Sequence, residues 1–333
     1  MKRILATVLC AAMVLGLAGC GAKSETTGNK ELKKITLCLD WTPNTNHTGF
    51  YVASEKGYYE EAGLSVEIVQ PPENGAAAMC ASGQAQFAIE AQDTMAAALQ
   101  LDDPLGITAV AGLVAHNTSG IISRQGDGID RASGLVGKRY STWESPIELA
   151  MLENLVNADG GDFNEVTLIP NDITDEPAAL AANQTDAIWV FYGWGGINAD
   201  VENVPCDFWY FKDLDSKFDY YTPVLIANND FLKEDSETAK AFIEATKRGY
   251  EFAESNPSEA ADMLIKGDTT GSLNSVKDLV YKSQEYLSKE YSDGKWGYID
   301  PERWNSFYGW LYENGLCEKD LTGVGFTNDY LPE

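Results

Sequence analysis

Residues 37–66, LCLDWTPNTNHTGFYVASEKGYYEEAGLSV, spell out one structural unit with its breaks visible. Alternating apolar residues Ile35, Leu37 and Leu39 predict a short strand, which stops at the polar segment Asp40-Trp41-Thr42-Pro43-Asn44-Thr45-Asn46. An amphipathic helix carrying Phe50, Tyr51, Ala53, Tyr58 and Tyr59 is predicted next. Gly63 fits the position after a helix end, and Leu64–Val69 restarts as a strand. Strand, loop, helix and strand make a βαβ unit, and loops at the carboxyl ends of such strands are where α/β proteins hold ligands. Asp40, Trp41, Asn44, Thr45 and His47 gather in that loop. An acid, a large ring and amides suit a flat heteroaromatic ligand, stacked on the indole and paired at its edge nitrogens. The same residues also suit a plain loop, with Asp40 and Thr42 as helix caps and Trp41 in the core.

The strings Asp40-Trp41-x-Pro43-Asn44-Thr45-Asn46-His47 and Gly57-Tyr58-Tyr59-x-x-x-Gly63-Leu64-x-Val66 closely resemble the NMT1/THI5-like family of the SsuA/THI5 superfamily. That family includes enzymes that make the thiamine pyrimidine and bacterial substrate-binding lipoproteins that bind its precursors. Asp186-Ala187-x-Trp189-x-Phe191-Tyr192-x-Trp194-x-Gly196-Ile197 resembles the pyrimidine-binding branch. The run from Phe242 to Ala260, with Ala245-Thr246, Gly249-Tyr250 and Pro257, is similar to further family members. The resemblance extends from Ile35 to about Tyr312.

It implies an α/β, type II periplasmic-binding-protein fold: two α/β lobes joined by a hinge crossed twice. Residues 35–123 and 224–333 would form lobe 1, residues 124–223 lobe 2, and the ligand would lie between them. It also implies the binding protein of an ABC importer, delivering a formylaminopyrimidine or hydroxymethylpyrimidine to a permease and its ATPase, with no catalysis and no cofactor. Two alternatives stand beside this: riboflavin or another flat ring as ligand, and a pyrimidine synthase. The eukaryotic synthases use an internal histidine and a cysteine-rich iron-binding segment; this chain has His47 but no such segment. The family's pattern carries an acid after the second tryptophan, where this chain has Gly195, so one anchor for an aminopyrimidine is missing.

The implied binding residues fall at strand ends. Asp40, Trp41, Asn44 and His47 come from the first loop. Glu90 and Gln92 end the strand predicted within 83–90, with Asp93 as cap of a helix over 94–100. Trp143, Glu144 and Ser145 precede a helix entered at Pro146, where free backbone N–H groups suit a ligand acceptor. There Trp143 is either a stacking wall or lobe core, and Glu144 either an amine partner or a helix-dipole charge. Trp189, Tyr192 and Trp194 follow. Trp189 and Phe191 also read as strand core, whereas Tyr192 and Trp194 lie beyond the apolar run. Trp296 and Tyr298 sit in a loop able to roof the cleft, and the aromatics of 301–314 have helical spacing for packing.

Upstream, Lys2 and Arg3 precede a short apolar run and Leu17-Ala18-Gly19-Cys20. Residues 1–19 are expected to be a signal peptide, and the tetrapeptide resembles a bacterial lipobox with Cys20 as lipidation site. Residues 20–34, polar and charged, are expected to be a flexible tether, placing the protein at the extracytoplasmic face of the cell membrane, held by lipid. The 333 residues are 44% hydrophobic and carry a net charge of −27. Loss of Lys2 and Arg3 with the signal lowers that by two, to −29. Such a surface excludes nucleic acid as partner. Cys38, Cys80, Cys206 and Cys317 lack metal-binding or framework spacing and read as small buried hydrophobes. With His47 and His116 as the sole histidines, no metal site is expected. A monomer is expected, and Arg124 and Arg139 are the only nearby cations that a sulfonate ligand would find.

Overall fold

The computed structural model describes residues 31–171 and 173–332. The expected signal peptide, Cys20 and the tether up to residue 30 lie outside the described residues. Among those described, ten strands follow in chain order: β1 (Lys33–Cys38), β2 (Leu64–Val69), β3 (Phe87–Glu90), β4 (Ile107–Gly112), β5 (Ser119–Arg124), β6 (Arg139–Thr142), β7 (Thr167–Pro170), β8 (Ala187–Phe191), β9 (Cys206–Tyr210) and β10 (Val224–Asn228). Lys33 and Lys34, read as the end of the tether, are already in β1. Their backbone pairs with Leu64 and Ser65, and strand pairing of the backbone does not require apolar side chains.

The strands form two sheets, in the orders β2-β1-β3-β10-β4 and β7-β6-β8-β5-β9. In the first, β1 runs parallel to β2 and β3, while β10 enters antiparallel between β3 and β4. In the second, β6 is parallel to β7 and β8, while β5 enters antiparallel between β8 and β9. Each sheet therefore takes in, reversed, the strand that follows a crossing from the other: residues 113–118 lead into β5 and residues 211–223 into β10. Helices cover the sheets, giving two α/β lobes joined by a hinge crossed twice.

Sequence periodicity locates most elements, and the departures have local causes. The single helix expected through Phe50 and Tyr59 is two, Thr48–Glu55 and Tyr58–Glu61, because Gly57 takes a left-handed φ of 74°. Asp93 is not a cap: the helix starts at Gln92 after Ala91. Strand β9 was not expected, since Cys-Asp-Phe-Trp-Tyr shows no clean alternation; it forms by pairing with β5. Cys38, Cys80 and Cys317 are buried, as read, but Cys206, on β9, is only partly so. The Ser236–Ser255 helix buries Ala239, Phe242, Ile243, Thr246, Tyr250 and Ala253, the face its spacing predicts. It lies very close to the Thr48–Glu55 helix at a pair of glycines. A Cβ on Gly249 would fall 2.0 Å from the Gly49 carbonyl oxygen.

The crossings are fastened to each other. Asp219, on the second, accepts the Asn117 N–H at 2.8 Å and bonds His116 Nδ1 at 2.6 Å, both on the first. Asn117 Nδ2 donates to the Phe218 carbonyl at 2.9 Å, and Arg303 reaches Asp219 and the Ala115 carbonyl.

Two outcomes follow for stability. Gly249→Ala, which by helix propensity alone would stabilise by about 1 kcal/mol, is expected to lower the thermal midpoint because the obstacle is backbone. An unchanged or raised midpoint would refute the close contact. His116 has its pKa raised above 6.5, chiefly by the bond to Asp219 and against the effect of burial. Its stabilisation is therefore fully present below 6.5 and lost as pH rises through the raised value. Thermal melts across that range should show the loss, and His116→Asn should flatten it.

Candidate functional site

A cavity of about 230 Å³ opens between the lobes. The loop after β1 contributes Asp40, Trp41, Thr42, Asn44 and Asn46, the end of β8 contributes Phe191 and Trp194, and the second crossing contributes Thr222 and Pro223.

The first loop is built around a buried histidine. Asn44 begins a short turn over Thr45–His47, its Oδ1 accepting the Asn46 N–H at 2.9 Å. The Asn44 N–H donates to His47 Nδ1 at 3.2 Å, so the imidazole proton sits on Nε2 and is donated to Asp40 Oδ1 at 2.8 Å. His47 is fully buried and does not line the cavity. It acts through Asp40, fixing one carboxylate oxygen at the rim. Trp41 is 65% exposed, which rules out the core reading. Trp194, partly buried, faces the same cavity from the other lobe and packs on the cluster of Tyr51, Leu264 and Val280.

Tyr192 does not join them. Residues Tyr192–Gly196 form a single π-helical turn, and its ring turns into a cluster with Phe208, Tyr210 and Tyr286 at 4.9, 5.8 and 5.2 Å. Phe191, 37% exposed, takes the place expected of Tyr192. Trp189 lies on the same strand face two residues back, nearly buried against Phe211 at 4.2 Å and Trp143 at 5.9 Å. Trp143 is half exposed, so it is not lobe core. Trp143 and Trp189 make a lobe-2 aromatic patch outside the cavity lining. A Cβ at Gly195 would meet Val190 Cβ at 2.8 Å, so that position points into lobe 2. With this backbone, an acid there would not reach the cavity.

Gln92 is a correction. It is fully buried, its Nε2 donating to the Trp304 carbonyl at 2.8 Å and its Oε1 accepting the Tyr221 N–H at 3.0 Å, so both polar ends are occupied. Glu90 accepts from the Ala91 N–H at 3.1 Å and from the Thr94 hydroxyl, and does not line the cavity. Burial raises its pKa against those bonds, and the nearby Asp40 charge adds to the rise. Glu144 is exposed in a left-handed conformation, φ 59°, with its N–H on Thr142 Oγ1. Ser145 is the N-cap of the Pro146–Ala158 helix.

The residue that shapes this loop is Glu148, which sequence reasoning passed over. Its buried carboxylate accepts from the Tyr140 hydroxyl at 2.6 Å, Thr142 Oγ1 at 3.1 Å, and the N–H groups of Trp143 and Ser145 at 3.2 Å. The Ser-x-x-Glu spacing of a capping box, Ser145 to Glu148, was the available signal. Trp296 does not roof the cleft: it is buried and stacked on Tyr250 at 4.8 Å. Tyr298 lines a different cavity, of about 350 Å³, beside the hinge residues His116 and Asp219. Arg124 and Arg139 both bond Asp186, at 2.7 Å, which occupies the cations a sulfonate would need.

Two mixed α/β lobes, crossed twice and parted by a cavity, define the periplasmic-binding-protein fold. The aliphatic sulphonate-binding protein SsuA of Escherichia coli superposes with a TM-score of 0.66 at 13% identity, covering 86% of this chain and 89% of that one. The chain belongs to the NMT1/THI5-like family, whose pattern matches residues 44–260. A formylaminopyrimidine-binding protein of Halalkalibacterium halodurans is 29% identical over 316 residues, 92% of this chain and 93% of the relative. A 4-amino-5-hydroxymethyl-2-methylpyrimidine phosphate synthase of Saccharomyces cerevisiae, THI11, is 24% identical over 315 residues, 90% of this chain and 88% of its own length.

The two kinds of site residue should separate by stability. Gln92→Ala strands a buried N–H and carbonyl and should cost about 3 kcal/mol, whereas Trp41→Ala, at an exposed ring, should stay within about 0.5 kcal/mol of the parent. Urea unfolding measures both. Equal costs would contradict the assignment of Gln92 to structure.

Proposed function

We propose that this protein is the extracytoplasmic solute-binding component of an ABC importer, and that it captures a thiamine pyrimidine precursor of the formylaminopyrimidine or hydroxymethylpyrimidine type between its lobes. The observation that carries the reading is the cavity itself: Trp41 and Trp194 reach it from opposite lobes, with the His47-fixed Asp40 at its edge. Aromatic faces and a positioned carboxylate suit an aminopyrimidine, whose ring stacks and whose amine donates. Its volume, about 230 Å³, is below the roughly 300–1,000 Å³ usual for drug-sized ligands. That favours one ring over the three fused rings of a flavin.

Binding rather than synthesis is the better reading of His47. Both its nitrogens are engaged and its ring is fully buried, so it positions a neighbour and offers no group to a reactant. The formylaminopyrimidine-binding relative supports the same class of ligand. In this reading the two closing bodies are residues 35–112 with 224–332 and residues 119–210; the boundary expected at residue 123 moves to the crossing before Ser119, because β5 pairs with β8 and β9 of the second sheet. Closure over the ligand is what a permease would read, and the leader with Cys20 would hold the protein to the membrane as a lipoprotein. Among the described residues no helix is long and apolar enough to cross a membrane.

Calorimetric titration with formylaminopyrimidine, hydroxymethylpyrimidine, thiamine and riboflavin tests the proposal. One of the two pyrimidines is expected to bind most tightly, and Trp41→Ala and Trp194→Ala to weaken it at least about tenfold each. Tight riboflavin binding with no pyrimidine binding would overturn the ligand assignment.

A further inference from the structure

The turn Tyr192–Gly196 of the second lobe is docked on the helix Lys277–Leu287, which packs with the first. Ser283 donates its hydroxyl proton to the Gly193 carbonyl. The Tyr192 ring lies 5.2 Å from that of Tyr286, whose hydroxyl is 3.0 Å from the Tyr210 hydroxyl on β9. Gly193 approaches so closely that a Cβ there would fall 2.9 Å from Leu287 Cδ2.

Ser283 has a single proton. Since that proton goes to Gly193, the 2.5 Å contact between Ser283 Oγ and Thr45 Oγ1 must have the threonine as donor. Thr45 follows Asn44 and Gly193 precedes Trp194, and both of those neighbours line the cleft cavity. One hydroxyl thus joins the ligand loop of the first lobe to that of the second. Ser283 is fully buried and Thr45 nearly so, which keeps water from competing for the bonds.

The helix is held to the first lobe by a separate set of bonds. Gln284 Oε1 accepts from Thr48 at 2.6 Å, Gln284 Nε2 donates to Ser288 and Tyr291, and Tyr291 donates to the Thr45 carbonyl at 2.6 Å. Parting the lobes leaves these intact and breaks the contacts of this helix with Tyr192, Gly193, Tyr210 and the Ile197–Val201 helix, together with the packing of Trp194 on the first lobe.

We infer that Ser283 is a positioning residue, the centre of a latch made from the protein's own groups that holds a closed population of the two lobes before any ligand binds. The inference rests on the proposed function only for its consequence, that ligand affinity scales with the closed fraction.

The full chain without ligand provides the test. Spin labels are placed through Glu153→Cys and Lys240→Cys, exposed positions in the two lobes, in a Cys206→Ser background, and their separation is read by pulsed electron resonance. The parent is expected to contain a short-distance population, and Ser283→Ala to reduce it about tenfold relative to the long one. Gly193→Ala, on the other lobe, should shift the distribution the same way, and Tyr286→Phe, which keeps the ring and loses the hydroxyl contact, should shift it less. If Ser283→Ala melts early, the other two variants carry the test. A parent with no short-distance population, or variants that keep the parent's distribution, would overturn the latch. Titration with formylaminopyrimidine is the separate arm: its Kd should rise in Ser283→Ala by the factor by which the closed fraction falls. Absence of binding to the parent would count against the proposed ligand and leave the distance result standing.

Discussion

A loop that leaves a sheet loses the partners of its own backbone, and its buried carbonyls must be met from elsewhere. The segment after β1 meets this requirement with tyrosines from far along the chain. Tyr250 donates to the Asn46 carbonyl and Tyr291 to that of Thr45, each at 2.6 Å. Tyr250 also stacks on Trp296 and meets Phe50 and Tyr291 edge-on, so the donors are themselves locked by packing. The geometry of Asp40, Trp41 and Asn44 depends on this support, because the turn over Thr45–His47 that orients them is too short to hold itself.

The two lobes secure their loops by different means. In the first, neutral hydroxyls and amides form a buried network around Thr45, Thr48 and Gln284. In the second, a buried carboxylate gathers the donors: Glu148 holds the Trp143–Ser145 loop, and Asp186 takes both Arg124 and Arg139. Those arginines keep the Asp186 carboxyl well below the usual carboxylate range, against a smaller effect of burial. The strong acidity of the chain as a whole therefore coexists with a second lobe in which Arg124 and Arg139 are committed to structure rather than to an anionic ligand.

Between the lobes, the aromatic content of the β8 end divides its work. Trp189 is built into lobe 2, Phe191 and Trp194 face the cavity, and Tyr192 faces the opposite lobe's helix. The π-helical turn produces this division, since it shifts the direction of successive side chains away from strand alternation within a few residues. Gly193 and Gly195 are needed within it because their Cβ positions are taken by Leu287 and Val190.

Patterns of apolar spacing and turn residues made the α/β class, the order of most elements and the strand-end location of the site legible in the sequence. That Asp40, Trp41 and Asn44 share one cavity wall was legible too, because a polar loop at a strand end depends on local chemistry that a linear reading contains. The sequence alone places Gln92 and Tyr192 at the ligand, leaves Trp296 undecided and passes over Glu148, for one shared reason. Each side chain's role is set by partners remote in sequence or by a turn geometry that composition does not encode: the Trp304 carbonyl for Gln92, Tyr286 for Tyr192, Tyr250 for Trp296 and the Trp143 loop for Glu148. A residue's type states which bonds it is able to make, and the sequence alone determined that much. Which of those bonds it makes was decided only when the chain, crossing between lobes twice, brought its distant partners within reach.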